Sequence, residues 1–346
     1  MIDRPLHIVH VVAGVVEGGL SKHLGDLTRA QLAMGDRVSV IARPELRGAL
    51  PEGAGFFEAR LNLGRRDPRA LLALSRALRR LAPDVIAAHA SKATQMLALC
   101  RRLKLAPEAP IVATLHSVKR GVRAYEAMDG VIAVSPGAAE LIARAPVSIV
   151  PNGVAAPSGP PPADPERARP LAIAVGRLVP VKGFDVLLEA WRGLDADLDL
   201  IGDGRERGRL EERAAERGLA GRVRFLGHRE DAVGLLALAD LVVIPSRREG
   251  FSYVMAEALL ARRPIVATRV PGPRDYLPER CLAEPGDAGT LAERLRAAVG
   301  DLPGLTAAMK PAFDRARSEL TLEAMAAGAR AAYERAIIAR SGEALA

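Results

Sequence analysis

Four residues in the second half of the chain have the types and spacing to handle an anion: Arg177, Lys182, Glu249 and Glu257. Arg177 and Lys182 belong to GRLVPVKGF, residues 176–184, directly after the apolar run LAIAV. A glycine ending a strand, followed by two cations, projects both charges over the carboxyl edge of a sheet. There they can hold a diphosphate and stabilise the charge that grows as it departs. The later stretch SRREGFSYVMAEALLARRPIVAT carries Glu249 and Glu257. A helix starting near Ser252 or Tyr253 leaves Glu249 in the preceding loop and puts Glu257 about one turn in, both facing the same strand ends. Gly250 allows the loop a close approach, and the first amides, at Phe251, Ser252 and Tyr253, can face an anion or hydroxyl groups. The bland counterparts are solvated strand-end cations and a helix with an acid favoured by its dipole.

The first half offers weaker signals. VVAGVVEGGLSKH places Gly14, Gly18 and Gly19 between a strand and a helix, where a backbone can come close to a phosphate or can simply turn. It is not G-x-G-x-x-G, and Glu45, beyond Pro44, is the nearest acid for a ribose, so dinucleotide binding has little support. His116 ends PIVATLH, while His89 and Ser91 lie in AAHAS; as bare features these are polar strand-end positions. DADLD, Asp195–Asp199, falls in a strand region and reads as structural, so no Asp-x-Asp metal motif stands out.

Several elements must position these groups. LHIVHVV, RVSVIA, DVIAAH, PIVATLH, GVIAVS and VSIVP read as strands, with helices over Leu20–Met34, Ala70–Leu81, Thr94–Leu103 and Gly137–Arg144 between them. The alternation stops at AAPSGPPPADPERARP, residues 155–170, whose six prolines mark an extended linker. It resumes with LAIAVG, DLDLIG, VRFLG, LVVIP and PIVAT, separated by helices over Phe184–Trp191, Arg207–Arg217, Ala232–Leu238 and Val254–Leu260, then CLAE and a helix near Ala288–Val299. Short apolar runs alternating with helices imply parallel sheets covered on both faces. The fold expected is α/β: two doubly wound, Rossmann-like domains facing across a cleft, with a closing helix near the C-terminal end. Residues 1–154, joined by a helix over 321–341, form one domain and residues 171–320 the other. Ligands of such sheets bind beyond the carboxyl ends of the strands.

Composition narrows the class. The 346 residues are 49% hydrophobic, enough for two cores, and two cysteines exclude a disulfide scaffold or a Cys-rich zinc site. No apolar run approaches a membrane span, and the N-terminal stretch reads as a first strand rather than a signal peptide, so a cytoplasmic protein is expected. The net charge of +8 lies wholly in residues 1–150, with 21 basic and 13 acidic residues against 28 of each in the remainder. Much of the excess falls between Arg60 and Arg123. Such a surface either is a solvated, Arg-rich face or attracts anionic partners, a membrane surface among them. Aromatics are not interleaved with the basic residues, which disfavours nucleic acid.

The chain resembles the GT-B glycosyltransferases of family 4, the retaining, nucleotide-sugar-dependent group. GRLVPVKGFDVLLEAW, LIGDGRERGRLE, VRFLGHRED and ALADLVVIPSRREGFSYVMAEALLARRPIVAT carry the resemblance in the second half. GGLSKHLGDLTRAQLAMGDRVSVI, DVIAAHASKATQMLA, PIVATLHSV, GVIAVSPGAAELI and IVPNGV carry it in the first. It implies transfer of a hexose-type sugar from a UDP- or GDP-sugar to a glycan or lipid-linked acceptor, in lipopolysaccharide or exopolysaccharide synthesis, with no cofactor and no metal. By the same resemblance Arg177 and Lys182 hold the donor diphosphate and Glu249 contacts the donor sugar, helped by the amides after Gly250. Glu257 binds the ribose, Gly18 and Gly19 approach the phosphates, and His116 lies near the transferred sugar, with His89 and Ser91 on the acceptor side. The chain departs from the family pattern at Val181, where an acid is frequent, and at Ala155, where an aspartate is common. Rival readings are a nucleotide-sugar 2-epimerase of the same architecture, a dinucleotide-dependent oxidoreductase and a non-catalytic nucleotide-sugar-binding assembly protein.

Overall fold

The computed structural model describes residues 2–14, 18–59, 61, 63–117, 121–156 and 167–342. The chain divides into two compact units, Met1–Gly153 with Leu322–Ala346, and Val154–Thr321. Residues 157–166 of the expected linker lie outside the described residues, as do Arg60, Lys119 and Arg120 of the basic stretch.

The first unit holds seven strands: β1 His7–Val12, β2 Arg37–Ala42, β3 Gly55–Glu58, β4 Val85–His89, β5 Ile111–Leu115, β6 Gly130–Ala133 and β7 Val147–Ile149. They lie in the order β3-β2-β1-β4-β5-β6-β7 and every pairing is parallel. Four helices accompany them, α1 Gly19–Ala33, α2 Pro68–Leu81, α3 Ala90–Arg102 and α4 Pro136–Ala139. Alternate residues of β1 serve opposite faces. Val9 and Val11 join the core built with Leu71, Leu74 and Leu78 of α2 and Met96 and Leu97 of α3. Ile8 packs instead with Leu27 of α1 and with Met325, Ala326, Ala329 and Tyr333. These last four lie on the helix Leu322–Ser341, whose apolar residues recur every three or four positions and so form one stripe. The first unit's core is therefore closed by the far end of the chain. Asp36, wholly buried, pairs there with Arg330, which also donates to the carbonyls of Ile2 and Arg4 at 3.0 and 2.8 Å.

The second unit has six parallel strands: β8 Leu171–Val175, β9 Asp197–Ile201, β10 Val223–Gly227, β11 Leu241–Ile244, β12 Ile265–Thr268 and β13 Leu282–Ala283, ordered β10-β9-β8-β11-β12-β13. Its helices are α5 Phe184–Ala190, α6 Arg207–Glu216, α7 Ala232–Ala237, α8 Tyr253–Leu260, α9 Pro273–Tyr276, α10 Ala288–Gly300, α11 Leu302–Ala308 and α12 Lys310–Glu319; the helix Leu322–Ser341 is then α13. α5 packs against α6 and α10, while α8 packs against α7 and α12. The sole tryptophan, Trp191, is buried in this unit.

Two local readings change. The helix expected over Gly137–Arg144 is only α4, because Glu126 captures the amides of Ala143, Arg144 and Ala145 at 2.8–2.9 Å that a longer helix would have used. The closing helix expected over residues 321–341 is α13, Leu322–Ser341. The strand β3, GFFE, was not read from the sequence; it is a four-residue edge strand too short for a period to show. Asp199, in β9, holds Arg224 at 2.6 Å, whereas Asp195, before the strand and largely exposed, holds Arg169 at 2.9 Å.

Candidate active site

Both sheets reverse their strand order at one place, between β1 and β4 in the first unit and between β8 and β11 in the second. Such switch points leave a crevice at the carboxyl ends of the strands. The candidate groups of each unit gather at its own switch point.

In the second unit, Gly176 and Arg177 follow β8, and a 3-10 turn at Pro180–Lys182 leads into α5. Gly183 makes the turn possible. Its φ is +69°, and a Cβ there would meet the Pro245 carbonyl oxygen at 2.1 Å, so the chain after β8 lies directly against the chain after β11. Across this contact Lys182 Nζ donates to Glu249 Oε1 at 2.5 Å, and the Ser246 hydroxyl donates to the same oxygen at 2.7 Å. Arg247 fixes the two segments together. Its guanidinium donates to the Pro180 carbonyl at 2.7 Å and to both Asp185 carboxylate oxygens at 2.7 and 2.8 Å, while its amide donates to the Val181 carbonyl at 2.8 Å. Hydrogen bonds from Arg247 hold the Asp185 carboxyl below the usual aspartate range. Ser252 caps α8 through a hydrogen bond from the Met255 amide at 3.3 Å, Phe251 and Tyr253 meet edge to face, and Glu257 is buried within the helix. Arg177 is exposed and makes no ion pair among the described residues. The structure thus brings Lys182 and Glu249 into contact, with Gly250 following in the same loop.

In the first unit, Gly18, with φ +63°, precedes α1, which begins at Gly19; residues 15–17 of this loop lie outside the described residues. Strand register places Val12, His89 and Thr114 side by side, so His10, His89 and His116 share one face, the face that α1 covers. His10 Nε2 lies 2.8 Å from Gln31 Oε1 of α1, and His10 Nδ1 lies 2.8 Å from His89 Nε2. His89 Nδ1 lies 3.3 Å from His116 Nε2, and His23 of α1 meets the His116 ring edge to face. Burial pushes the His10 and His116 pKa values down to about 4, and those of His23 and His89 also fall well below the ordinary value. His116 keeps part of its surface exposed, whereas His89 is 1% exposed. That corrects the acceptor-side placement of His89, whose ring faces other histidines. Ala90, immediately after it, holds φ +62°, a strained value for a residue with a Cβ. The Ser91 hydroxyl lies 3.5 Å from the Tyr125 hydroxyl.

Sequence reasoning missed His10, His23, Gln31 and Arg247. A histidine inside the apolar run HIVHVV was a signal for the first, but its partners follow only from strand register. Also in the first unit, Arg65, Arg66, Arg102 and Arg123 line a cavity of about 440 Å³ with no carboxylate in its lining.

Two all-parallel sheets, each with polar groups gathered at its switch point, form an architecture that binds ligands at the strands' carboxyl ends. The family model described as Glycosyltransferase Family 4 matches residues 17–156, and that described as Glycosyl transferases group 1 matches residues 169–301. A lipopolysaccharide core biosynthesis glycosyltransferase, LpsD of Rhizobium meliloti (strain 1021), is 30% identical over 284 residues, 78% of this chain and 80% of LpsD. The chain belongs to glycosyltransferase family 4 and is a transferase. Its fold is that of a Rickettsia africae glycosyltransferase, with a TM-score of 0.82, 17% identity and coverage of 96% of this chain and 99% of that one. It is also that of Anabaena HepE in complex with UDP, with a TM-score of 0.78, 20% identity and coverage of 94% and 99%. Among the described residues no helix is long and apolar enough to cross a membrane.

Proposed function

We propose that the chain moves a hexose-type sugar from a nucleoside-diphosphate sugar to a glycan or lipid-linked acceptor with retention of configuration, in assembly of a lipopolysaccharide core or related surface polysaccharide. The observation that carries this reading is the Lys182–Glu249 contact at the carboxyl ends of β8 and β11, beside the exposed Arg177. Arg177 and Lys182 neutralise the donor diphosphate. Glu249 and the amides of Gly250, Phe251, Ser252 and Tyr253 orient the sugar, and Glu257 takes the ribose hydroxyls. Gly18 and Gly19 approach the phosphates, and His116 reaches the transferred sugar. The bond from the anomeric carbon to the diphosphate breaks while the acceptor hydroxyl oxygen bonds to the same face of that carbon. The hydroxyl proton passes to the departing phosphate oxygen. Charge stabilisation by the two cations supplies the catalysis in this scheme, without a cofactor or catalytic metal.

Support for the donor comes from HepE, solved with UDP and with UDP-glucose, and for the pathway from LpsD and from the outer core galactosyltransferase WaaB. The arginine-lined cavity of the first unit suits an acceptor that carries phosphate or lies on an anionic membrane.

The test is calorimetry and thermal melting with UDP, GDP, ADP and NAD, on the wild type and on Lys182→Ala. One nucleoside diphosphate should raise the melting temperature with concentration and lose that effect in the variant. Binding of none, or of NAD alone, overturns the donor assignment.

A further inference from the structure

We propose that His23, His89 and His116 form a binding site for one divalent transition metal ion of the zinc class, an ion that makes and breaks no bond in the transfer step. The three imidazoles come from three elements, α1, the end of β4 and the residue after β5, and their donor nitrogens all lie within 4.8 Å of one another. His89 Nδ1 and His116 Nε2 are 3.3 Å apart, about the separation of two nitrogens bound at roughly 2.05 Å to a tetrahedral zinc. His23 is 4% exposed, and neither ring nitrogen makes a hydrogen bond of good geometry, although the Asn152 side chain lies beside the ring. An imidazole packed this way has lost its water and gains little from Asn152, which leaves a ring nitrogen able to bind a ligand.

A second layer of hydrogen bonds supports the site. Gln31 Oε1 can only accept, so it fixes the His10 proton on Nε2 and leaves His10 Nδ1 to accept from His89 Nε2–H. His89 is thereby held with the Nδ1 lone pair facing His116 and His23. A metal-ligating histidine ordinarily donates its other N–H to such a fixed acceptor. An all-imidazole set favours zinc, copper or nickel over calcium or magnesium. Three protein ligands leave a fourth position for water.

The metal takes the His116 lone pair, so occupancy restrains transfer; this consequence rests on the reading of His116 above, whereas binding itself does not.

The test uses tag-free full chain stripped with a chelator, titrated with Zn²⁺ by calorimetry and with Co²⁺ by visible absorption. Metal content after dialysis gives the stoichiometry. One ion per chain is expected, with cobalt bands of tetrahedral intensity. His23→Leu, which fills the same space without a ligand, should weaken binding at least 100-fold while circular dichroism stays unchanged. His23→Asn provides a second variant should that one not fold. His10→Gln should weaken binding about 10- to 100-fold through the supporting layer, and His228→Gln, in the second unit, should leave it unchanged. Absence of a stoichiometric ion, or binding indifferent to both His23 substitutions, overturns the proposal. Neither readout needs donor or acceptor, so failure here is distinct from failure of the transferase mechanism.

Discussion

Lys182 reaches across 67 residues of sequence to place its ammonium 2.5 Å from a carboxylate oxygen of Glu249, in a spot where both side chains are largely shielded from water. The pair stands at the junction of the two loops that leave the centre of the second sheet. Lys182→Ala should lower kcat/KM by about 10²- to 10³-fold, as removal of one preorganised charge-stabilising donor does. The thermal transition of the nucleotide-free protein should still be cooperative. Steady-state kinetics with a nucleotide sugar, beside a melting curve, checks both halves.

Arg247 touches neither reacting group, yet it binds Pro180, Val181 and Asp185 to the loop that carries Glu249. Arg247→Ala should therefore act as a positioning defect, raising KM for the donor and lowering kcat together by about 10- to 100-fold. Arg247→Lys should recover only part of this, because a single ammonium cannot reproduce the forked contact with Asp185.

Arg330 and Asp36 give a stability test confined to one unit. Arg330→Ala strands a buried carboxylate and should cost about 3 kcal/mol. Replacing both residues with apolar ones of similar volume should recover much of the loss. Because Trp191 reports only on the second unit, its fluorescence midpoint in urea should stay in place while the circular dichroism transition broadens toward lower denaturant.

The histidine cluster makes the first unit sensitive to acid. His10 and His116 have folded pKa values near 4 against 6.5 when unfolded, so between those values the unfolded chain binds the additional protons. Stability is fully present above about pH 6.5 and falls as the pH drops through the window to about 4. Urea midpoints of the metal-free protein at pH 7.5, 6, 5 and 4 should trace that fall. His10→Gln should make it shallower.

The arginine-lined cavity predicts salt-sensitive attraction to anions. Arg102→Glu with Arg123→Glu should reduce sedimentation with vesicles containing phosphatidylglycerol and leave UDP binding unchanged. Equal sedimentation of wild type and variant at low salt would remove the cavity from acceptor recognition.

Much of this arrangement was legible in the linear sequence. The runs LAIAV and LVVIP are apolar at every position because both faces of their strands are covered, and Ser252 marks its helix start by its type. GRLVPVKGF and SRREGF were identifiable as strand-end loops, but their contact depends on β8 and β11 being neighbours, which strand order alone decides. The histidines are a sharper case. Nothing local relates His10 to His89; only the register Val12 against His89 puts them on one face. The α4 helix failed for a similar reason, since Glu126 competes for its amides from outside the segment.

The contribution of α13 to the first unit bears on how the protein is made. As the ribosome releases residues 1–153, their sheet emerges with the face that carries Ile8, Val85 and Val112 covered only in part, by α1, and it stays so until residues 322–341 appear. At about 5–20 residues per second the intervening 168 residues occupy roughly ten to thirty seconds. The second unit can complete its fold in that interval, so the half of the chain that is synthesised first is the half that finishes last. Chaperone dependence, where it exists, should track the time that one apolar face waits for its helix.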